Sequence, residues 1–292
     1  MSAIKMHLPY FVSCCLVLFP SVGFSDNAPR DYLPAPPGKQ VLFSSFEIQS
    51  GDSLYVNGAE ISSNTDYRSE LLIFKYARYG KLGTWNTAII PIIGYGSASY
   101  RPPGANDKLR AQGPIDPILV LGTSHVLDKA GVWRIGLSNW LTIPLGEYDS
   151  SRLLNIGANR WATKPELNLT YRSDPRTFWE VAGSVSLFSD NDEYTPANRR
   201  LSREPLLAFE SHVSHDFSSE WEGSLSFFFH GGGETSIDDV PQNNSRSDHA
   251  LQTAVDWHFA PGWESGLRYQ HALKVRSGIS YDLIRFKISK VF

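Results

Sequence analysis

From Gln40 onward, apolar residues recur at every second position rather than at every third or fourth. "WEVAGSVSLF" sets Trp179, Val181, Val185 and Leu187 on one side, with Glu180, Ser184 and Ser186 on the other. "WEGSLSFFF" opposes Trp221, Leu225, Phe227 and Phe229 to Glu222, Ser224 and Ser226. "LQTAVDWHF" and "WESGLRYQHAL" repeat the alternation, and no stretch carries a helical stripe. Side chains on a strand point alternately to its two faces, so the pattern predicts an all-β chain. It divides into about twelve strands, near 39–48, 69–79, 84–96, 115–127, 131–144, 159–172, 176–188, 205–217, 220–230, 249–259, 262–274 and 280–292.

The connections alternate as well. "YGKLG", "LDKAG", "RSDPR", "DFSSE" and "FAPG" are short and rich in turn formers, whereas 49–68, 97–114, 145–158, 189–204 and 231–248 are long and polar. A β-sandwich has no need of a short–long rhythm. An outer-membrane barrel does, with tight periplasmic turns, long external loops and an even strand number. Six of the eight tryptophans (Trp85, Trp133, Trp179, Trp221, Trp257 and Trp263) lie beside the short turns, where amphipathic rings would meet the membrane interface. The expected fold is therefore a transmembrane antiparallel up-and-down β-barrel. Its closing strand is "YDLIRFKISKVF", with Ile284, Phe286, Ile288 and Phe292 toward lipid, pairing with "QVLFSSFEIQ". An alternating last strand that ends on an aromatic resembles the signal read by the outer-membrane assembly machinery, so Phe292 is expected to engage it.

Residues 1–25 read as a secretory signal peptide, with Lys5 ahead of the apolar "YFVSCCLVLFP" and small residues near a cleavage point. Residues 26–38 form a Pro-rich segment that either folds into the barrel as a plug or hangs in the periplasm, and 39–292 is the barrel. Both cysteines, Cys14 and Cys15, fall in the leader, so the exported chain would carry no thiol and no disulfide. The formal charge of −3 gives no reason to expect nucleic acid as a partner.

Apparent catalytic motifs have plainer readings. "HGGGE" (His230–Glu234) is similar to an esterase oxyanion motif, but no G-x-S-x-G accompanies it, and a glycine-rich turn suffices. His212 and His215 are three apart, which on a strand sends them to opposite faces. A Ser–His hydrolase acting on lipid, with His215 beside Ser211 or Ser214, is the alternative function. No metal or cofactor motif appears, and no enzyme activity is expected.

The polar phase of the strands places Glu47, Glu166, Glu210, His212, Arg268, Arg285 and Lys287 in the lumen. Buried charges must pair or be hydrated, so acid–base ladders are expected there. Trp140 falls in the same phase, and beside Arg160 and Lys164 it would make an amphipathic constriction. The other reading of residues 140–172 is a packed external loop over the barrel mouth.

"WLTIPLGEYDSSRLLNIGANRWATKPELNLTY", "FSDNDEY", "LSREPLLAFESHVSHDF" and "FFFHGGGE" resemble the outer-membrane transporters named after the meta-cleavage pathway of phenol degradation. The resemblance runs from about Pro36 to Phe292. It implies a Gram-negative outer-membrane barrel associated with uptake of aromatic or other hydrophobic compounds. It transfers no agreed binding residues, so Trp140, Arg160, Lys164, Glu166, Glu210, His212, Arg268 and Arg285 are candidates by position and chemistry. The expected function is passive uptake of a small hydrophobic or aromatic solute. Outer-membrane lipid and lipopolysaccharide are the surroundings, and a closed barrel that binds something through its loops is a further alternative.

Overall fold

The computed structural model describes residues 27–292; the leader expected over 1–25 lies outside the described residues. Twelve long strands form the wall: β1 Gln40–Val56, β2 Asp66–Leu82, β3 Trp85–Arg101, β4 Ile118–Val126, β5 Trp133–Thr142, β6 Ala162–Asp174, β7 Thr177–Phe188, β8 Leu206–Asp216, β9 Trp221–Gly232, β10 Arg246–Ala260, β11 Trp263–Lys274 and β12 Gly278–Val291. Each pairs antiparallel with its chain neighbours, and β12 returns to β1 in a register running from Val41↔Val291 through Glu47↔Arg285 to Tyr55↔Gly278. Closure leaves no edge of unpaired N–H and C=O groups in hydrocarbon, where each would cost several kcal/mol.

The alternation sorts the two faces. On β12, Ile284, Phe286 and Ile288 point outward while Leu283 and Ser289 are buried on the lumen side. On β2, Leu72, Phe74 and Tyr76 face out, and Leu71, Ile73 and Ala77 face in. At the short-turn end, Trp133, Trp179, Trp221, Trp257 and Trp263 are all exposed, and Trp221 stacks on Trp257 with centroids 5.5 Å apart. Two prolines sit within the twelve wall strands, Pro91 and Pro165, both facing out. Lacking an N–H, each lies where its strand's register on one side is interrupted, between Lys75↔Ile92 and Arg78↔Ile89 and between Thr163↔Leu187 and Glu166↔Ser184.

The first three strands are longer than their apolar pattern predicts. β1 continues to Val56, β2 begins at Asp66 and β3 runs to Arg101, 17 residues each, against about 9–11 needed to cross a bilayer. Beyond the membrane the outward face meets water, so Arg68, Glu70, Ser97 and Ser99 replace the apolar half of the pattern without ending the ladder. The expected loops 49–68 and 97–114 are thus largely strand, with Leu109–Pro114 paired to the upper end of β3. The loops at 189–205 and 233–245 likewise combine into a four-stranded sheet over the mouth, by way of Arg199–Arg203 and Thr235–Ile237.

The loop joining β5 to β6 folds inward. The Asp116 carboxylate accepts the Gly146 and Ala158 N–H groups at 2.8 Å each and so clamps the two ends of that loop together. Gly146 is required here: a Cβ would stand 2.6 Å from the Asp116 nitrogen. Leu154 and Ile156 then bury against Trp140, Ile118 and Tyr100 in an apolar cluster inside the mouth. The region 140–172 is therefore both a packed cover and the approach to Trp140.

Candidate functional site

The segment Asn27–Gly38 rises into the lumen from the short-turn end. Gly38 donates to the Tyr79 carbonyl at 3.0 Å, fixing its base. Arg30 then reaches the wall at several points. Its Nε donates to Ser214 Oγ at 2.8 Å, its Nη1 pairs with Asp216 at 2.7 Å and Glu222 at 2.9 Å, and its guanidinium lies 4.5 Å from the Phe178 ring centre. Its own backbone N–H donates to Glu180 at 2.7 Å. Arg30 has φ of 68°, a left-handed conformation costing a non-glycine residue of order 1–3 kcal/mol. Charge-assisted bonds to carboxylates from β7, β8 and β9 offset it.

Higher up, Glu166 accepts from the Tyr32 hydroxyl at 2.5 Å, from Asn27 Nδ2 at 2.6 Å and from Lys164 Nζ at 3.1 Å. The Asn27 backbone N–H donates to Glu210 at 3.0 Å, and His212 Nε2 stands 3.5 Å from the same carboxylate oxygen. His212 also meets the Phe228 ring edge-on at 5.7 Å. The Tyr32 ring lies directly over Gly136, in space that any side chain there would occupy. Glu166, Glu210 and His212 thus form the seat of the N-terminal segment.

Two chambers occupy the lumen, and the segment lines the lower one. Toward the outside is a chamber of about 130 Å³, walled by Ile115, Ile156, Trp140, Phe188 and a ring of cations. Trp140 and Lys164 are register partners on β5 and β6, and the ammonium sits 4.4 Å from the indole centre. Arg160 and Arg203 both stack on Phe188, at 5.7 and 4.7 Å. These two arginines lie in loops above the wall, and burial pushes both below the usual guanidinium value, Arg203 further through the Arg160 and Arg246 charges.

Toward the short turns is a second chamber, of about 490 Å³, where charge is balanced in ladders. Arg285 binds Glu47 at 2.7 Å across the closing seam. Lys287 binds Asp256 at 2.9 Å and also contacts Glu264, with Arg268 at 3.8 Å from Asp256. Trp140 and Arg285 line both chambers.

Among the residues singled out by sequence, Trp140, Arg160, Lys164 and Arg285 therefore converge on the outer chamber, Glu166, Glu210 and His212 on the segment's seat, and Arg268 on the inner chamber. Arg203, Arg246 and His230, all on the outer chamber, escaped sequence reasoning. His230 was legible only as the start of a glycine-rich turn, and Arg203 sits in a loop strand whose facing has no lipid to set it. His215 lies apart from His212, with Nδ1 2.8 Å from Thr177 Oγ1, while the Ser214 hydroxyl is taken by Arg30.

A closed twelve-stranded barrel with an apolar outer band, an aromatic girdle and a charged lumen is a transmembrane barrel of the bacterial outer membrane. Residues 50–286 match the family described as "Putative MetA-pathway of phenol degradation", and the chain belongs to that family. The fold is shared with an outer membrane channel from Pseudomonas putida F1, at a TM-score of 0.88 and 19% identity over 91% of this chain and 100% of that one. The transport unit of the autotransporter AIDA-I from Escherichia coli is a more distant likeness, at a TM-score of 0.57 and 8% identity over 98% of each chain. No curated protein sequence matches the chain.

Proposed function

We propose that this barrel carries small aromatic or other hydrophobic solutes passively across the outer membrane, with residues 27–38 acting as its plug. The observation that carries this reading is the outer chamber: about 130 Å³, close to the roughly 150 Å³ apolar cavity that admits benzene, and faced by Trp140, Phe188, Ile115 and Ile156. A water-filled porin offers a greasy solute no compensation for losing its hydration, whereas ring faces with polar groups beside them do. The family's association with phenol degradation and the fold shared with a Pseudomonas putida channel support the same direction. No nucleotide-binding motif supplies energy, so flux follows the gradient.

The plug is held mainly by polar contacts, which water can replace. That suits a segment that must move aside, because an apolar seat of the same size would lose its contacts without replacement. The test is uptake of labelled aromatic solutes into vesicles carrying lipopolysaccharide in their outer leaflet. Influx faster than into empty vesicles is expected; equal influx for every aromatic tried would contradict the reading.

A further inference from the structure

We propose that the outer chamber binds the carboxylate of a small aromatic acid, with Arg160 and Arg203 on the carboxylate and Phe188 and Trp140 against the ring. This deepens the uptake reading, and rests on it for the purpose that binding serves.

The first observation is an imbalance of charge. Arg160, Lys164, Arg203, Arg246 and Arg285 line the chamber, against the single carboxylate of Asp116. Asp116 is already committed, since its two oxygens accept backbone N–H groups from Gly146 and Ala158. Lys164 has Glu166, Arg246 has Asp248 at 2.5 Å and Arg285 has Glu47. Arg160 and Arg203 form no ion pair among the described residues. Arg160 Nη1 is buried without a hydrogen-bond partner, and the Arg203 Nε donates only to the neutral Gly233 carbonyl at 3.2 Å.

The second observation is their placement. Both guanidiniums stack on Phe188, so they sit as like charges beside one ring. Two cations of one sign in a partly desolvated site repel each other more strongly than they would in water. A guanidinium does not escape by losing its proton, and Asp116 and Asp190 act on Arg160 without pairing with it, so an entering anion would relieve the repulsion. A carboxylate matches the guanidinium fork in geometry and is held through charge-assisted hydrogen bonds. Beside polar groups such as Gln49, Thr142 and Gln270, the wall carries Trp140, Phe188, Ile115, Ile118 and Ile156, an apolar surface that inorganic anions cannot use and a ring can. The volume limits that ring to about one six-membered system.

The third observation is contrast. The inner chamber pairs Arg268, Arg285 and Lys287 with Glu47, Asp256 and Glu264. An anion meets an excess of positive charge in the outer chamber and none in the inner one, which favours capture from outside and release inward.

The experiment is calorimetric titration of the folded full-length barrel in detergent at pH 7.5 with benzoate, benzamide and acetate, for the wild type and Arg160→Gln, Arg203→Gln and Arg203→Lys. Benzoate is expected to bind at least tenfold more tightly than either benzamide, which lacks the charge, or acetate, which lacks the ring. Each Gln variant should cut benzoate's advantage over benzamide about tenfold, and Arg203→Lys, which keeps the charge but not the fork, should cut it by less than Arg203→Gln while still lowering it measurably. Heat-modifiable gel mobility verifies folding of every variant, and Arg203→Lys serves should a Gln variant fail to fold. Equal affinity for benzoate and benzamide, no benzoate binding, or an advantage untouched in both Gln variants would overturn the proposal. Passage into vesicles is measured separately: benzoate that binds but does not pass leaves this proposal standing and sinks the uptake reading alone.

Discussion

Tyr32 and Glu166 meet inside the barrel, the phenol hydroxyl donating to the carboxylate at 2.5 Å while the ring lies in the space left by the missing side chain of Gly136. One wall position thus supplies the anchor and another the room. Gly136→Leu fills that room and should unseat the segment without disturbing the ladder, since a strand accepts leucine readily. Single-channel recordings should show ionic conductance raised severalfold over the wild type. Unchanged conductance from a folded Gly136→Leu barrel would show that Tyr32 does not set the constriction.

Arg30 is the second anchor. Removing one partner of a mostly buried ion pair costs about 3–5 kcal/mol when the other charge stays buried, so Arg30→Ala should release the segment and let water reach Asp216, Glu222 and Glu180. No cysteine occurs beyond Cys15, so a single Ala28→Cys reporter is clean in protein produced from residue 26 onward. Thiol labelling of Ala28→Cys is expected to accelerate at least tenfold when Arg30→Ala is added.

Asp116 holds the inward loop by its neck. Asp116→Ala leaves the Gly146 and Ala158 N–H groups without their acceptor, at about 1–3 kcal/mol for each that stays buried. Loop residues 146–158 should then exchange amide hydrogens much faster while the wall strands remain protected. Asp116→Asn, which keeps one acceptor oxygen, should lie between the two. Equal exchange in all three proteins would mean that the apolar packing of Leu154 and Ile156 holds the loop alone.

The girdle makes a prediction of depth. Trp133, Trp179, Trp221, Trp257 and Trp263 share the short-turn end. Their fluorescence should be quenched more strongly by lipids labelled near the headgroup than by lipids labelled at the chain end. Trp140, enclosed in the lumen, should resist both.

The wall was legible in the sequence because lipid imposes a rule on every second residue. Trp140 and Lys164 could be placed together because both lie in the polar phase of neighbouring strands. The rule fails above the membrane, where Arg68, Glu70 and Ser99 continue strands with no apolar partner to mark them. It fails again at Arg203, whose facing is set by loop packing, and at Arg246, which opens β10 opposite Gly232 above the apolar band. The three wall residues of the seat, Glu166, Glu210 and His212, were legible by phase, but its fit to the segment was not: Tyr32 finds Gly136 across more than a hundred residues, and neither residue signals the other.

The central claim is that aromatic solutes occupy a lumen plugged by residues 27–38. Its most direct test is single-channel conductance of the refolded barrel in a planar bilayer, with and without phenol, for the full chain, the chain lacking 27–38 and Trp140→Ala. The plugged-lumen reading predicts a small current in the full chain and a larger one without the segment. Phenol should reduce both, and Trp140→Ala should weaken its effect severalfold. Currents that are identical with and without the segment, and indifferent to phenol in folded protein, would contradict it.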